Sequence, residues 1–460
     1  MRDAPPRRSA RGLTRRQLLG RAPAGLLAAF AAGLTLGRPT VGRAGTGSDT
    51  HFIFCYFEGG WDLLLSLDPR DPALFRDDLK KSTRIQCGYS ELGSRYQELV
   101  TTGVEGMVFG PAIGGLARHA DKLCVVRGMS MDTLTHEVGR RRFLTGHAPA
   151  GLQATGSSLA TVLAANLAGT EPVPQLSIGV ESYNTDQATT ASAIRVTSVD
   201  DLVRALRPGD HEVSVAEQAA LDELLDELEA CGRFERSAVY RDALAYRQAA
   251  KRLVAQGLDG RFAFDAETAE MEALRDLYGI DPEDLESAAA QCAAAVTAVT
   301  NGISRVVSIQ PATDLDQHGP EWASAHPERL EAGFDLVAAM IDDLASREYG
   351  DSGESWLDHT VIVGFSEFGR SPLLNSSGGR DHYLHNACFL AGAGIRGGAV
   401  VGASSDVGMA PQDLDLATGG VVAGGETVRP EHVFRALLKS VGVEEDVVDY
   451  GVEPLTAILA

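Results

Sequence analysis

Residues 360–370 read TVIVGFSEFGR, a continuous apolar run that leads directly into a polar segment ending in arginine. Continuous apolar runs of this length are typical of parallel strands that are covered on both faces. Similar runs occupy residues 52–57, 123–127, 175–180, 305–310, 387–391 and 399–401. Helical patterns separate many of them, and this alternation predicts an α/β fold with a doubly wound, mostly parallel sheet.

Two helices of the predicted α/β frame have clear patterns. Residues 327–349 carry one apolar stripe at helical spacing, and residues 289–301 are rich in alanine and valine, as expected of a buried helix. Residues 198–287 differ, because they show charged helical stretches and no clear strand. Those stretches are 221–228, 238–254 and 266–278. We expect a helical insertion in the frame, with an independent helical domain as the alternative.

The first 44 residues have the composition of an export signal. They hold nine arginines and one aspartate, and the pair Arg15–Arg16 precedes an apolar run at residues 24–36. That run is shorter than the roughly 20 residues that a membrane-spanning helix needs. We therefore expect a twin-arginine signal at 1–44, an α/β domain at 45–460, a periplasmic or extracellular location, and no transmembrane span after removal. An uncleaved, membrane-tethering helix is the alternative.

The charge of the chain bears on its partners. The formal net charge is −22, and loss of the basic leader would make it more negative still. Binding to nucleic acid depends mostly on lysine and arginine contacts with phosphates. The composition therefore excludes nucleic acid as an expected partner, and no protein partner can be named from it.

Acidic and histidine residues follow three of the predicted strands. The run at 52–57 leads into EGGWD, the run at 305–310 is followed by DLDQH, and the run at 360–365 leads into SEFGR and then GGRDH. Because the carboxyl ends of parallel strands meet at one edge of a sheet, we expect these side chains to converge. Such groups favour a divalent metal, with Zn, Ca, Mg and Mn all open. The expected ligands are Asp62, Asp316, His318, Glu367, Asp381 and His382.

Each of these motifs also has a structural interpretation. The Gly-Gly-Trp-Asp segment that ends at Asp62 is compatible with a simple turn. Glu367 and Arg370 could form an ion pair that braces a loop, although Arg370 could also hold an anionic oxygen. Residues 135–146 read THEVGRRRFLTG, and the arginines could bind phosphate or sulfate or lie on a solvated helix face.

Together these motifs resemble the domain of unknown function 1501 family, over residues 50–457. The blocks FSEFGR at 365–370 and GRDH at 379–382 carry most of the resemblance. That family is similar to the alkaline phosphatase and sulfatase superfamily. The resemblance implies a doubly wound α/β fold with a metal-assisted site for phosphate or sulfate esters.

The resemblance also implies roles for single residues. Asp62 would match the first-strand metal aspartate of the superfamily. Asp316 and His318 would match its Asp/His pair on one metal, at a shorter spacing.

Glu367 and Phe368 fall where the superfamily often has Asp-His, so one imidazole is missing there. The pair Asp381–His382 could restore the missing imidazole from the following loop.

The nucleophile position departs from the superfamily pattern. Arg140 and the pair Thr145–Gly146 fall at the spacing of the sulfatase motif, which places His136 where a hydroxyl or formylglycine nucleophile would stand. The resemblance leaves three readings: Thr135 attacks, water activated by the metal attacks, or no hydrolysis occurs.

Two functions follow from these observations. The first is an exported, metal-dependent hydrolase of small phosphate or sulfate esters, in which Arg140 and Arg370 stabilise developing negative charge. The second is a non-catalytic metal-binding or partner-binding protein of the same fold that lacks the usual nucleophile.

Overall fold

The computed structural model describes residues 49–167, 169, 171–207, 220, 223–224, 227, 256–444 and 446–460. The expected signal at 1–44 and the predicted helix at 238–254 lie outside the described residues. Most of the predicted helix at 221–228 lies outside them as well. The export signal and the helical insertion therefore stay predictions.

Twelve strands lie in the described part of the chain. They are β1 (His51–Phe57), β2 (Val100–Thr101), β3 (Val108–Phe109), β4 (Leu123–Ser130), β5 (Val173–Ile178), β6 (Ile194–Val196), β7 (Ser304–Ala312), β8 (Thr360–Phe365), β9 (Gly369–Arg370), β10 (His382–Tyr383), β11 (His385–Gly392) and β12 (Ala399–Val401). Every strand-like run of the sequence is confirmed. The short strands β2, β3, β6, β9 and β10 were not predicted.

Eight of these strands form one sheet in the order β12-β4-β11-β8-β1-β7-β5-β6. All neighbouring pairs are parallel except those of β11, which is antiparallel to β4 and β8. β11 reverses direction because the chain returns from β8 through the small β9–β10 pair, without the crossover helix that a parallel connection requires. The predicted α/β class with a mostly parallel sheet is confirmed.

The described α-helices lie between strands in the chain, except for the last one, which follows β12. They are α1 (Lys80–Thr83), α2 (His136–Thr145), α3 (Leu159–Asn166), α4 (Val199–Leu206), α5 (Ala269–Tyr278), α6 (Ala288–Thr300), α7 (Trp322–Ser346) and α8 (Pro430–Ser440). The predicted helix at 327–349 corresponds to α7, which begins five residues earlier and contains Pro327. Within the described residues, no helix combines the length and the apolar character needed to cross a membrane.

The sheet is covered on both faces. Alternate residues of β1 point to opposite sides, so that Ile53 and Cys55 join one apolar core and Phe52 and Phe54 join the other. The first core contains the buried faces of α6 and α7, and the second contains those of α2, α3 and α8. This two-sided burial explains the continuous apolar runs and confirms the doubly wound arrangement.

A buried histidine at the start of β11 gives the fold a predictable pH dependence. Burial lowers the pKa of His385 to about 4, although nearby Asp68 acts in the opposite direction. An unfolded histidine titrates near 6.5, so between these values the unfolded chain binds a proton that the folded chain does not. The stability contributed by neutral His385 is complete above about pH 6.5 and is lost as the pH falls towards 4.

We expect this group to lower the free energy of unfolding by about 3 kcal/mol between about pH 7 and about pH 4. Urea unfolding at several pH values measures the decline, and the variant His385→Gln should show a shallower one. Equal slopes for the two proteins would contradict this assignment.

Candidate functional site

The turn after β1 reaches the segment after β7 because it contains two glycines with positive φ. Gly59 has φ 106° and Gly60 has φ 79°. A Cβ atom at Gly59 would lie 2.6 Å from the backbone nitrogen of Leu315 and 2.7 Å from that of Asp316. Glycine is therefore required for this close approach. The carboxyl ends of β1 and β7 meet as the sequence predicted.

A cluster of three side chains forms at this edge of the sheet. The ligand atoms of His136, Asp316 and His382 all lie within 4.8 Å of one another. Asp316 is central: its Oδ1 lies 3.1 Å from His382 Nε2, and its Oδ2 lies 3.3 Å from His136 Nε2. His136 is the first residue of α2 and His382 opens β10, so elements far apart in sequence supply the cluster.

A third imidazole adjoins this cluster. His318 Nε2 lies 2.9 Å from Asp316 Oδ1 and 3.0 Å from His382 Nε2. The two imidazoles and Oδ1 of Asp316 thus form a triangle with sides of 2.9 to 3.1 Å. The side chains of His318 and Asp316 are 43% and 45% exposed, so this part of the cluster is open to solvent.

Each imidazole is oriented through its Nδ1 atom. The acceptors are Glu367 Oε1 at 2.7 Å from His136, the Leu134 carbonyl at 2.6 Å from His382, and Asp381 Oδ1 at 3.0 Å from His318. With Nδ1–H donating to an acceptor, the Nε2 atom carries the lone pair. All three Nε2 atoms therefore present lone pairs to the space around Asp316, which is the arrangement found around protein-bound metals.

Glu367 and Asp381, both predicted as metal ligands, lie behind histidines. Glu367 is fully buried and accepts hydrogen bonds from the Gly59 amide at 2.9 Å and the Ser366 hydroxyl at 2.9 Å, besides His136. Asp381 accepts from Asn375 Nδ2 at 2.9 Å, a bond that lowers the pKa of its carboxyl. The structure thus gives both carboxylates the position of outer partners that hold imidazoles in place.

The Asp62 carboxylate is engaged by residues other than those of the cluster. Its side chain is 1% exposed, and its Oδ2 lies 2.8 Å from Arg380 Nε and 2.9 Å from Trp322 Nε1. Its Oδ1 accepts from the Leu64 amide at 3.0 Å. Both oxygens are therefore engaged within the protein, and the predicted ligand Asp62 is left out of the proposed metal site. Sequence analysis did not connect Asp62 with Arg380.

Arg370 is a buried residue that contacts Asp316 of the cluster and the turn after β1. Its side chain is fully buried, and its Nε donates to the Gly60 carbonyl at 2.9 Å while Nη1 donates to the Arg380 carbonyl at 3.2 Å. Nη2 lies 2.6 Å from Asp316 Oδ1. These contacts tie the first turn to Asp316, and the predicted role of Arg370 in binding an anionic oxygen stays a prediction.

Charge at the cluster follows from these contacts. Burial acts to raise the pKa of Asp316, but the hydrogen bond from Arg370 and the charge of Arg370 hold it well below its usual range. Burial acts to lower the pKa of His136, but the hydrogen bond with Glu367 and the charges of Glu367 and Asp316 together outweigh it, so that the net direction is upward. Burial lowers the pKa of His382. Asp316 is therefore an ionised carboxylate among imidazoles, which is the charge that a cation requires.

The other predicted catalytic residues lie along α2 and just before it. Arg140 lies one helical turn after His136 in α2. It forms two contacts of 3.1 Å with the carboxylate of Glu181. Thr135 is exposed at the N-cap of α2, where its hydroxyl lies 3.5 Å from that of Thr133. The structure therefore places Arg140 in an ion pair and the Thr135 hydroxyl on the surface.

Phe368 is a site residue that sequence analysis noted only as a missing imidazole. Its ring centroid lies 4.9 Å from that of His136 and 4.5 Å from that of His382. The ring is fully buried and packs against both imidazoles. Phe368 therefore restricts the orientation of two histidines, and only the fold reveals that contact.

Close packing of α2 on Glu367 gives a testable consequence. A Cβ atom at Gly139 would lie 2.5 Å from the Glu367 carbonyl oxygen and 3.1 Å from its Cβ. Alanine favours a helix by about 1 kcal/mol over glycine, but this overlap with backbone should outweigh that gain. We expect Gly139→Ala to lower the free energy of unfolding by about 1–3 kcal/mol.

Urea unfolding of the variant measures this loss of stability. Gly260→Ala is the matched control, because no atom lies within 4 Å of a Cβ placed there. If Gly139→Ala were as stable as the control, the packing of α2 on Glu367 would not be as tight as described.

The fold and the cluster define an α/β protein with a histidine–aspartate site at the carboxyl edge of a mostly parallel sheet. The chain belongs to the family described as "Protein of unknown function (DUF1501)", which matches residues 49–418. The resemblance seen in the sequence motifs is thereby confirmed at the level of the family. No protein with a curated description matches the chain.

Two solved structures show distant likeness to this chain. The first is the crystal structure of Ps i-CgsB in complex with k-i-k-neocarrahexaose, whose sequence is 10% identical to this one. The match covers 86% of this chain and 73% of that chain, with a TM-score of 0.36. The lipoteichoic acid synthase LtaP from Listeria monocytogenes is 8% identical, with coverage of 90% and 77% and a TM-score of 0.37. Likeness at this level carries no argument about function.

Proposed function

We propose that this protein is an exported, metal-dependent hydrolase of phosphate or sulfate esters, of the alkaline phosphatase and sulfatase type. The observation that carries the proposal is the triangle of Asp316 Oδ1, His318 Nε2 and His382 Nε2, with sides of 2.9 to 3.1 Å. Ligand atoms around a tetrahedral Zn²⁺ are separated by about 3.3 Å, given metal–ligand bonds of about 2.0 Å. The three atoms fit one ion with little movement.

The donor set narrows the choice of metal. Two imidazoles and one carboxylate suit Zn²⁺ or a similar transition metal, whereas Ca²⁺ and Mg²⁺ prefer oxygen ligands. Three protein ligands with an exposed side also leave a coordination position open, as in catalytic zinc sites. We therefore propose Zn²⁺ as the best fit among the metals that the sequence left open.

The residues around the triangle have defined tasks in this proposal. A bound divalent cation would polarise an ester oxygen and offset its negative charge. Arg370 holds Asp316 in place, Asp381 holds His318, and Glu367 holds His136 beside the triangle. The N-terminus of α2, which begins at His136, favours an anionic group on the substrate.

One observation favours the alternative, a non-catalytic metal-binding or partner-binding protein of the same fold. His136 stands where the superfamily has a hydroxyl or formylglycine nucleophile, and the Thr135 hydroxyl is exposed at the N-cap of α2. This alternative predicts a bound metal without turnover of any ester.

Metal analysis combined with turnover separates the two functions. The purified protein should contain a divalent metal and hydrolyse an aryl phosphate or aryl sulfate, and chelation should abolish both, with recovery on addition of Zn²⁺. Absence of bound metal would refute the proposal. Bound metal without turnover on the whole ester panel would favour the non-catalytic alternative.

A further inference from the structure

We propose that His136 is the catalytic nucleophile, and that its Nε2 atom forms a covalent bond to the phosphorus of a phosphate ester. This proposal rests on the proposed function, since it needs an anionic ester at the cluster. It assigns His136 to the substrate instead of to the metal.

The position of the His136 Nε2 atom separates it from the metal triangle. His318 and His382 both contact Oδ1 of Asp316, whereas His136 Nε2 lies 3.3 Å from Oδ2, the other carboxylate oxygen. The atom is buried and has no hydrogen-bond partner within the described residues. Buried nitrogens are rarely left without a partner, and a phosphoryl group bound beside the ion would give this lone pair one.

Glu367 supplies what an imidazole nucleophile requires. Its contact of 2.7 Å with His136 Nδ1 keeps the proton on that nitrogen and the lone pair on Nε2. A carboxylate behind the ring also makes the lone pair more basic and stabilises positive charge that develops on the ring. Because Glu367 is fully buried and bonded to the Gly59 amide, this support is rigid.

Packing fixes the direction of the attack. The His136 ring contacts the Phe368 ring, and it meets the His382 ring edge-on, with centroids 4.5 Å apart and an interplanar angle of 84°. His136 is also the first residue of the ten-residue helix α2, whose positive end stabilises the oxygens of a bound phosphoryl group. Rigid placement of this kind reduces the entropy cost of attack.

The reaction then has two balanced steps. In the first, the Nε2 lone pair forms an N–P bond while the bond from phosphorus to the leaving oxygen breaks, and that oxygen departs with the electron pair and takes a proton from solvent. In the second, water attacks phosphorus and the N–P bond breaks, returning its electron pair to Nε2. The water loses a proton to solvent, inorganic phosphate leaves, and His136 is regenerated.

Trapping of the covalent intermediate tests the proposal. The full chain loaded with Zn²⁺ is mixed with p-nitrophenyl phosphate and quenched in alkali, because a phosphoramidate survives alkali and hydrolyses in acid. Mass spectrometry should find one added phosphoryl group on His136, lost after acid treatment. The variant His136→Gln should keep its zinc and lose more than ~10³-fold in kcat.

Two further variants make the result specific. Glu367→Gln should keep its zinc and slow formation of the intermediate by roughly 10–100-fold, as loss of an outer partner does. His359→Gln is the matched control, since His359 pairs with Glu354 at the other, amino-terminal end of β8. It should match the wild type in zinc content and labelling.

The outcomes distinguish this proposal from the proposed function. Label on Thr135, turnover without any label on His136, or loss of zinc from His136→Gln would each overturn the assignment of His136, while metal-dependent turnover would still support the hydrolase. Wild-type protein that holds no zinc, or that turns over no ester, would instead refute the proposed function and with it this inference.

Discussion

Replacement of His382 by alanine is expected to remove divalent-metal binding and, with it, ester hydrolysis. His382 supplies one side of the ligand triangle, at 3.0 Å from His318 and 3.1 Å from Asp316. Loss of an outer partner typically costs 10–100-fold in affinity or activity, so loss of a ligand should cost more than about 100-fold. Metal content of the dialysed protein and the rate on an aryl phosphate measure the two losses.

Stability provides the control for this variant. The side chain of His382 is 21% exposed and contributes no apolar core, so truncation should leave urea unfolding of the metal-free protein nearly unchanged. His359→Ala is a matched histidine truncation away from the cluster and should retain both metal and activity. Zinc content of His382→Ala equal to that of the wild type would exclude the triangle as the metal site.

The edge of the sheet that carries this triangle could be predicted from sequence, because apolar periodicity and strand ends are local properties. The segments 314–318 and 366–370 follow β7 and β8, and both contribute to the cluster. The position of Asp381 and His382 at the same edge could not be predicted from apolar periodicity. They precede β11, which runs antiparallel, so its beginning lies beside the end of β8.

The role of each carboxylate could not be predicted, because it depends on contacts between distant parts of the chain. Glu367 and Asp62 both follow strands and both have the residue type of a ligand. The structure places Glu367 against His136 and Asp62 against Arg380. Sequence patterns give the type of residue and the edge of the sheet, whereas the partner of each buried carboxylate is set by tertiary packing.

The buried pair of Asp62 and Arg380 leads to the second large expected effect. Arg380→Met should lower the free energy of unfolding by about 3–5 kcal/mol, because it leaves the Asp62 carboxylate buried without its cation. The side chains are 1% and 0% exposed, and Arg380 also donates to the carbonyls of Gln86 and Cys87 at 2.8 and 2.9 Å. Urea unfolding of the metal-free protein measures the loss.

A double variant separates the charge from the packing. Asp62→Asn combined with Arg380→Met removes both charges, so it should recover part of the stability lost in Arg380→Met alone, whereas independent sites would give additive losses. Arg76→Met is the control, since Arg76 and Asp78 form an ion pair with side chains 59% and 63% exposed, and such pairs contribute at most about 1 kcal/mol. Asp62→Asn should also retain its zinc, because Asp62 is occupied by Arg380 and not by the metal. Loss of zinc from a folded Asp62→Asn protein would return Asp62 to the ligand set that the sequence predicted, and would mean that Arg380 gives way when the ion binds.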